Sequence, residues 1–173
     1  MIETERLLLR PWRDEDREPF WAMAQDSDVM RYLPAVSREE CDAAIDRMMT
    51  IQSAHGYCFW ALDHKSDSRF LGFCGLLPPS PPLSEIEIGW RLTSDVWGRG
   101  YAREAAEAVL AWAWRSLDVQ SIAAITVPAN ERSWGLMLRL GMEYVEGSDF
   151  DHPALAEGDP LRRHLLYRIS RPR

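Results

Sequence analysis

Two rhythms of hydrophobic and polar positions alternate along the chain. RLLLRPW begins as a short apolar strand, after which Asp14, Glu15 and Asp16 open a helix through Phe20, Trp21 and Met23, because carboxylates are favoured at a helix amino end. Ser37 to Glu40 has the spacing of a capping box and starts a second helix reaching about Ala54, with His55-Gly56 as its stop. YCFWALD and FLGFCGLL are β-rich runs separated by the polar DHKSDS, which reads as two neighbouring antiparallel strands. Pro78 to Pro82 cannot belong to a central strand and forms a stiff loop. In SEIEIGWRL, Ile86, Ile88, Trp90 and Leu92 point one way, while Glu85, Glu87, Gly89 and Arg91 point the other. The rhythm then turns helical, with Ala102, Ala105, Ala106, Val109, Ala113 and Leu117 on one face. SIAAITV reads as a buried strand, Glu131 to Leu140 as a short helix stopped by Gly141, and MEYVEGSDF and RRHLLYRIS as two last strands.

This order predicts an α/β (α+β) architecture, with about four helices packed against a mixed, mostly antiparallel sheet of about six or seven strands. At 173 residues and 46% hydrophobic content, the chain fills one core and is too short for two ordinary domains, so 1–173 is expected to be a single domain. A net charge of -7 argues against nucleic acid or anionic membrane as partner and suits a cationic or amine-bearing one. No secretory signal or membrane-spanning run is recognised, and the odd set Cys41, Cys58 and Cys74 has no CxxC pair. A reduced, cytoplasmic protein is the simplest expectation.

The stretch DVWGRGYAREAAEAVLAWAW places Gly98 and Gly100 at the mouth of a helix. A strand, a glycine turn and a helix make an anion site, because the first-turn N–H groups lack internal partners and glycine removes the Cβ from the approach. A P-loop is excluded by the absence of a Gly-Lys pair, and a dinucleotide fingerprint fails at Arg103. A turn that merely needs glycine stays open on these two residues alone.

WGRGYA, Trp97 to Ala102, preceded by EIGWRL and followed by a helix, strongly resembles the acyl-coenzyme A pyrophosphate loop of the GCN5-related N-acetyltransferase (GNAT) superfamily. ETERLLLRPW, FLGFCGL and NERSWGLMLRLGM resemble the matching segments of its RimJ/RimL-type subfamily, so the likeness covers nearly the whole chain. It implies the GNAT fold, with the two central parallel strands, EIEIGWRL and SIAAITV, splayed to admit acetyl-coenzyme A (acetyl-CoA). It also implies an acyltransferase acting on a protein amino terminus or a small-molecule amine by direct attack in a ternary complex. By the same resemblance, backbone N–H groups of Trp97, Gly98, Arg99, Gly100, Tyr101 and Ala102 hold the pyrophosphate, while Ile88, Gly89, Trp90 and Leu92 supply the edge that pairs with pantetheine. Asp95 departs from the family, which often carries Gln or Arg there, and Arg99 and Arg103 are the compensating cations.

Acetyl transfer to an amine needs a bound thioester, a neutral amine, stabilisation of an oxyanion and a proton for the leaving thiolate. Glu87 is the first candidate base and Glu85 the second, against the alternative of a solvated polar face. Asn130 and Ser133 suit helix capping; by resemblance Asn130 contacts cofactor or substrate and Ser133 donates to the thiolate. The family's tyrosine acid is replaced by Met137, which keeps open a non-catalytic acyl-CoA-binding or sensing domain. His55, His64, His152 and His164 lack metal-ligand spacing, so no metal is expected. Cys74 lies in an apolar strand that raises its pKa and makes a poor nucleophile. Trp112 and Trp114 pack on or cover the helix, whereas Trp12, Trp21, Trp60 and Trp134 are candidates for the acceptor pocket or a homodimer interface, with core packing the expected role of most.

Overall fold

The computed structural model describes residues 1–172. Among them, nine strands form a continuous sheet in the order β1-β2-β3-β4-β5-β6-β9-β7, with β8 pairing β9 at one side. The strands are β1 (Ile2–Glu3), β2 (Leu7–Arg10), β3 (Phe59–His64), β4 (Phe70–Leu77), β5 (Glu87–Leu92), β6 (Ser121–Thr126), β7 (Glu143–Tyr144), β8 (Phe150–Asp151) and β9 (Arg163–Ser170). The helices are α1 (Arg17–Ala24), α2 (Arg38–His55), α3 (Tyr101–Ser116) and α4 (Glu131–Arg139). The mixed architecture stands, but the strand number is higher than expected. MEYVEGSDF breaks at a turn into β7 and β8, and two residues at the amino end pair with β2 as β1. The acids Asp14 to Asp16 form a single 3-10 turn, and the α-helix begins after them.

The capping box of α2 is present, with Ser37 accepting from the Glu40 N–H and Glu40 accepting from the Ser37 N–H. The side chains of α3 that face the sheet include Ala105, Ala106, Val109 and Ala113, all fully buried, and the small ones let the helix approach the strands closely. On this face Trp60 packs edge-on against Trp112 at 5.1 Å. The opposite face carries Phe73, which lies close to Trp12 and Phe20 beside α1. Trp12 and Trp60 are 6% and 2% exposed, so both belong to the core and cannot line an acceptor pocket or a homodimer interface. Arg10 is buried between Asp16, at 2.7 Å, and Asp63 on β3. This triad ties the 3-10 turn before α1 to the sheet, and each carboxylate satisfies part of the same fixed guanidinium fork.

The sheet is antiparallel except at β5 and β6, which run parallel and share a single paired position, Glu87 with Ala123. The Ala123 N–H donates to the Ile86 carbonyl at 2.9 Å. Beyond that point no β5–β6 pairing occurs among the described residues, so the edge of β5 from Ile88 to Leu92 that faces β6 keeps backbone groups free for a ligand. The expected splay of the central strands is therefore present.

Candidate active site

Gly98 and Gly100 both have positive φ, 75° and 83°, a region that penalises a side chain. Nothing in the protein comes within 4 Å of where a Cβ would stand on Gly98, and at Gly100 only the Arg6 guanidinium does, at 3.5 Å. The first backbone bond into α3 is from the Glu104 N–H to the Gly100 carbonyl at 3.0 Å, which leaves the N–H groups from Gly98 onward for an anion. The Trp97 N–H, expected among the pyrophosphate donors, instead donates to the Ser94 carbonyl at 3.1 Å, closing the 3-10 turn before the loop. The loop Gly98 to Tyr101 with Ala102 thus forms an open, amide-lined cradle at the carboxyl end of β5, and a pyrophosphate fits its chemistry.

The charged residues around the cradle are arranged differently from the sequence expectation. Asp95 is paired with Arg69 at 2.8 Å, so its charge is met within the protein. Arg103 meets Glu107 at 2.7 Å, one helical turn along α3, in a solvent-exposed pair. Arg99 is exposed, and its carbonyl accepts from Arg6. Arg6, which no sequence signal marked, also pairs with Glu104 and lies 4.3 Å from the centre of the Tyr101 ring. It braces the loop from the β1–β2 connection. Across the cleft, the Arg132 guanidinium of α4 stacks on Trp97 at 4.7 Å.

The other end of β5 is more enclosed. Glu87 is partly buried and lines a cavity of about 130 Å³ with Leu77, Pro78, Ser80, Pro81, Pro82, Leu83, Glu85, Ile125 and His152. The proline-rich loop thus supplies one wall. Burial pushes the Glu87 carboxyl up to about 7, and among the described residues no hydrogen bond or cation offsets that penalty. Burial also acts to raise Glu85, but hydrogen bonds from Arg168 and Ser121 outweigh it and hold that carboxyl below its ordinary value. Arg168 grips Glu85 at 2.5–3.0 Å. A carboxylate committed to an ion pair is a poor proton acceptor, so of the two Glu87 alone has the environment of a base near neutrality. His152 shares the cavity and lies 5.1 Å from His164, ring to ring; burial and its neighbour lower its pKa.

Asn130 caps α4, its side chain accepting from the Ser133 N–H at 3.3 Å. The Ser133 side chain is partly exposed, and among the described residues its hydroxyl makes no hydrogen bond to the protein. Met137 is 2% exposed and fills the core. Cys58 and Cys74 are fully buried; burial pushes the first up to about 12 and the second higher still, which removes Cys74 as a nucleophile at neutral pH. A second cavity, of about 190 Å³, lies at the far edge between Glu3, Asp63, His64 and Lys65. In the strand order β4 and β5 lie between it and the β5–β6 opening.

A family described as acetyltransferase (GNAT) domain matches residues 6–143. The chain is 26% identical over 189 residues to the FsC-acetyl coenzyme A-N(2)-transacetylase of Aspergillus fumigatus, covering 99% of this chain and 80% of that one. An acetyltransferase of the GNAT family from Bacillus anthracis superposes with a TM-score of 0.80 at 24% identity, over 98% of both chains. RimL, a ribosomal L7/L12 alpha-N-protein acetyltransferase solved with coenzyme A, superposes with a TM-score of 0.77 at 14% identity, over 96% of this chain and 95% of its own.

Proposed function

The chain belongs to the GNAT acetyltransferase family, and from that premise we propose that it transfers the acetyl group of acetyl-CoA to a primary amine, with Glu87 as general base. The observation that carries the reading is Glu87 itself. It is a desolvated carboxyl without an ion-pair partner at the point where β5 and β6 separate, and its cavity is at the opposite end of β5 from the Gly98–Gly100 cradle. From Glu87 to Leu92 the strand extends about 16 Å at roughly 3.3 Å per residue, a span that an extended thioester arm can follow from the cradle to the cavity. The coenzyme A held by RimL is in keeping with that donor.

In this reading the cradle amides bind the pyrophosphate and the free edge from Ile88 to Leu92 pairs with the pantetheine amides. A β5 N–H near Trp90 meets the negative charge that develops on the thioester oxygen. The amine enters the cavity as an ammonium, loses a proton to Glu87, and attacks the thioester carbonyl. A carbon–nitrogen bond forms, the carbon–sulfur bond breaks, and the second proton that the nitrogen must shed is relayed through the Ser133 hydroxyl or water to the departing thiolate. Met137 occupies the core, so the family's tyrosine acid has no counterpart at that position. A thiol titrates near 8.5, which makes a dedicated acid dispensable. The acceptor belongs to the RimJ/RimL range, a protein amino terminus or a small amine.

The test is acetyl-CoA consumption with mass spectrometry of products, against peptides with free Ala, Ser or Met amino termini, polyamines, amino acids and aminoglycosides. Acetylation of any amine by the wild-type protein supports the reading, and tight acetyl-CoA binding with no acceptor modified refutes it.

A further inference from the structure

Arg91 is the one unpartnered arginine among those that the fold withdraws from solvent. Among the described residues, the partly or fully buried arginines are Arg6, Arg10, Arg17, Arg38, Arg91, Arg162, Arg168 and Arg171. All but Arg91 meet a carboxylate or a backbone carbonyl, Arg162 only loosely, at 3.8 Å from Asp151 and with no hydrogen bond from its Nε. The Arg91 guanidinium instead faces the ring of Phe73 at 5.3 Å, with Cys41 of α2 nearby. Burial alone pulls it down to about 10, with no hydrogen bond to offset it. Desolvating a cation without an acceptor costs stability that an apolar residue would not. A site that binds an anion explains why the cation is there.

Its position on β5 says which anion. Glu87, Gly89 and Arg91 alternate with the core residues Ile88 and Leu92 and share one face of the sheet. Between the two charges lies Phe59, whose ring tip is 2.6 Å from where a Gly89 Cβ would stand and which stacks on Phe73 at 5.3 Å. The face therefore reads carboxylate, aromatic ring, guanidinium, and Glu87, Phe59 and Arg91 all keep some contact with solvent. Four residues of strand put the Glu87 and Arg91 backbones about 13 Å apart.

We propose that Arg91 is a specificity residue for the acceptor, which is an amine carrying a carboxylate or other anionic group on the order of 10 Å away, joined by an apolar spacer that lies across Phe59. The inference rests on Glu87 receiving the amine. The ammonium end is deprotonated by Glu87, while the anionic end is held by the fork of Arg91, an arrangement that rejects the same amine without its anion.

The test compares kcat/KM for ω-aminohexanoate and ω-aminooctanoate with that for hexylamine and octylamine, using wild-type protein, Arg91→Gln and Arg91→Lys. Wild type is expected to favour at least one amino acid over its matched alkylamine by about 10- to 100-fold. Arg91→Gln brings that ratio close to one with little change on the alkylamines, and Arg91→Lys keeps part of the preference. Equal use of both series by wild type overturns the proposal, as does an Arg91→Gln defect of the same size on both. If no amine is acetylated, the proposed activity fails on its own, and calorimetric titration with octanoate then reads the anion site directly. Binding that Arg91→Gln abolishes supports it, and no binding to wild type overturns it. A C-terminally amidated tripeptide Ala-Ala-Glu-NH2 preferred over Ala-Ala-Gln-NH2, with the same dependence on Arg91, identifies a protein amino terminus as the source of the amine; preference confined to the ω-amino acids identifies a small molecule.

Discussion

Replacing Glu87 by Gln should stabilise the protein while stopping its chemistry, and the size of the first effect follows from the structure. The Glu87 carboxyl titrates at about 7 in the fold against 4.5 ordinarily, which at about 1.4 kcal/mol per pH unit is a penalty of roughly 3 kcal/mol. Its partial contact with solvent brings the expected value to about 2–3 kcal/mol. Between pH 4.5 and 7 the folded protein holds a proton that the unfolded chain has released, so stability falls as pH rises through that window. The penalty is absent below the window and complete above it. Glu87→Gln removes it, so urea unfolding should give a variant about 2–3 kcal/mol more stable than wild type near pH 8, with the gap closing towards pH 4. The same variant should lose about 10²- to 10⁴-fold in kcat with acetyl-CoA affinity unchanged. The wild-type kcat/KM should rise through about 7 as Glu87 ionises. A stability gap that stays flat across this pH range would show that the carboxyl is not desolvated. Unchanged turnover would remove Glu87 from the mechanism whatever its pKa.

Three other perturbations follow from particular contacts. Arg69→Gln frees the Asp95 charge beside the cradle and should weaken acetyl-CoA binding by about 3- to 10-fold in calorimetry, an effect that adding Asp95→Asn suppresses. Asp63→Asn leaves Arg10 buried with one of its two carboxylate charges removed and should cost about 3–5 kcal/mol in urea unfolding; a loss under about 1 kcal/mol would mean the triad relaxes or hydrates. Gly89→Ala brings a methyl to 2.6 Å from the Phe59 ring and should displace it, raising KM for the acceptor several-fold while leaving that for acetyl-CoA within about twofold. Equal changes in both constants would place Phe59 outside the acceptor path.

Periodic elements were legible in the chain because the evidence for them is local. The α2 capping box, β4 and the alternation of β5 depend on residues within one or two turns of each other, and they lie where the pattern puts them. The glycine cradle was legible for the same reason: Gly98 and Gly100 adopt the conformations that only their lack of Cβ makes cheap. Short strands were not, because β1 and β8 span two residues each and exist through their partners rather than their own periodicity. Nor could the pattern separate Glu85 from Glu87, two carboxylates at alternate positions with the same apparent freedom.

The sequence by itself determined where the longer periodic elements fall, where the anion-binding turn sits and which face of β5 carries charge, since all three are written in neighbours along the chain. Only the tertiary structure decided how those charges are spent. Arg168, 83 positions from Glu85, neutralises it, Arg69 answers Asp95, and Glu107 meets Arg103. Glu87 and Arg91 are left half-buried and, among the described residues, without a hydrogen-bond or ion-pair partner, one at each side of the Phe59 ring. An ion pair is made or missed by distances of a few ångströms between segments remote in sequence, and that is why the reactive groups became distinguishable only once the sheet had closed around them.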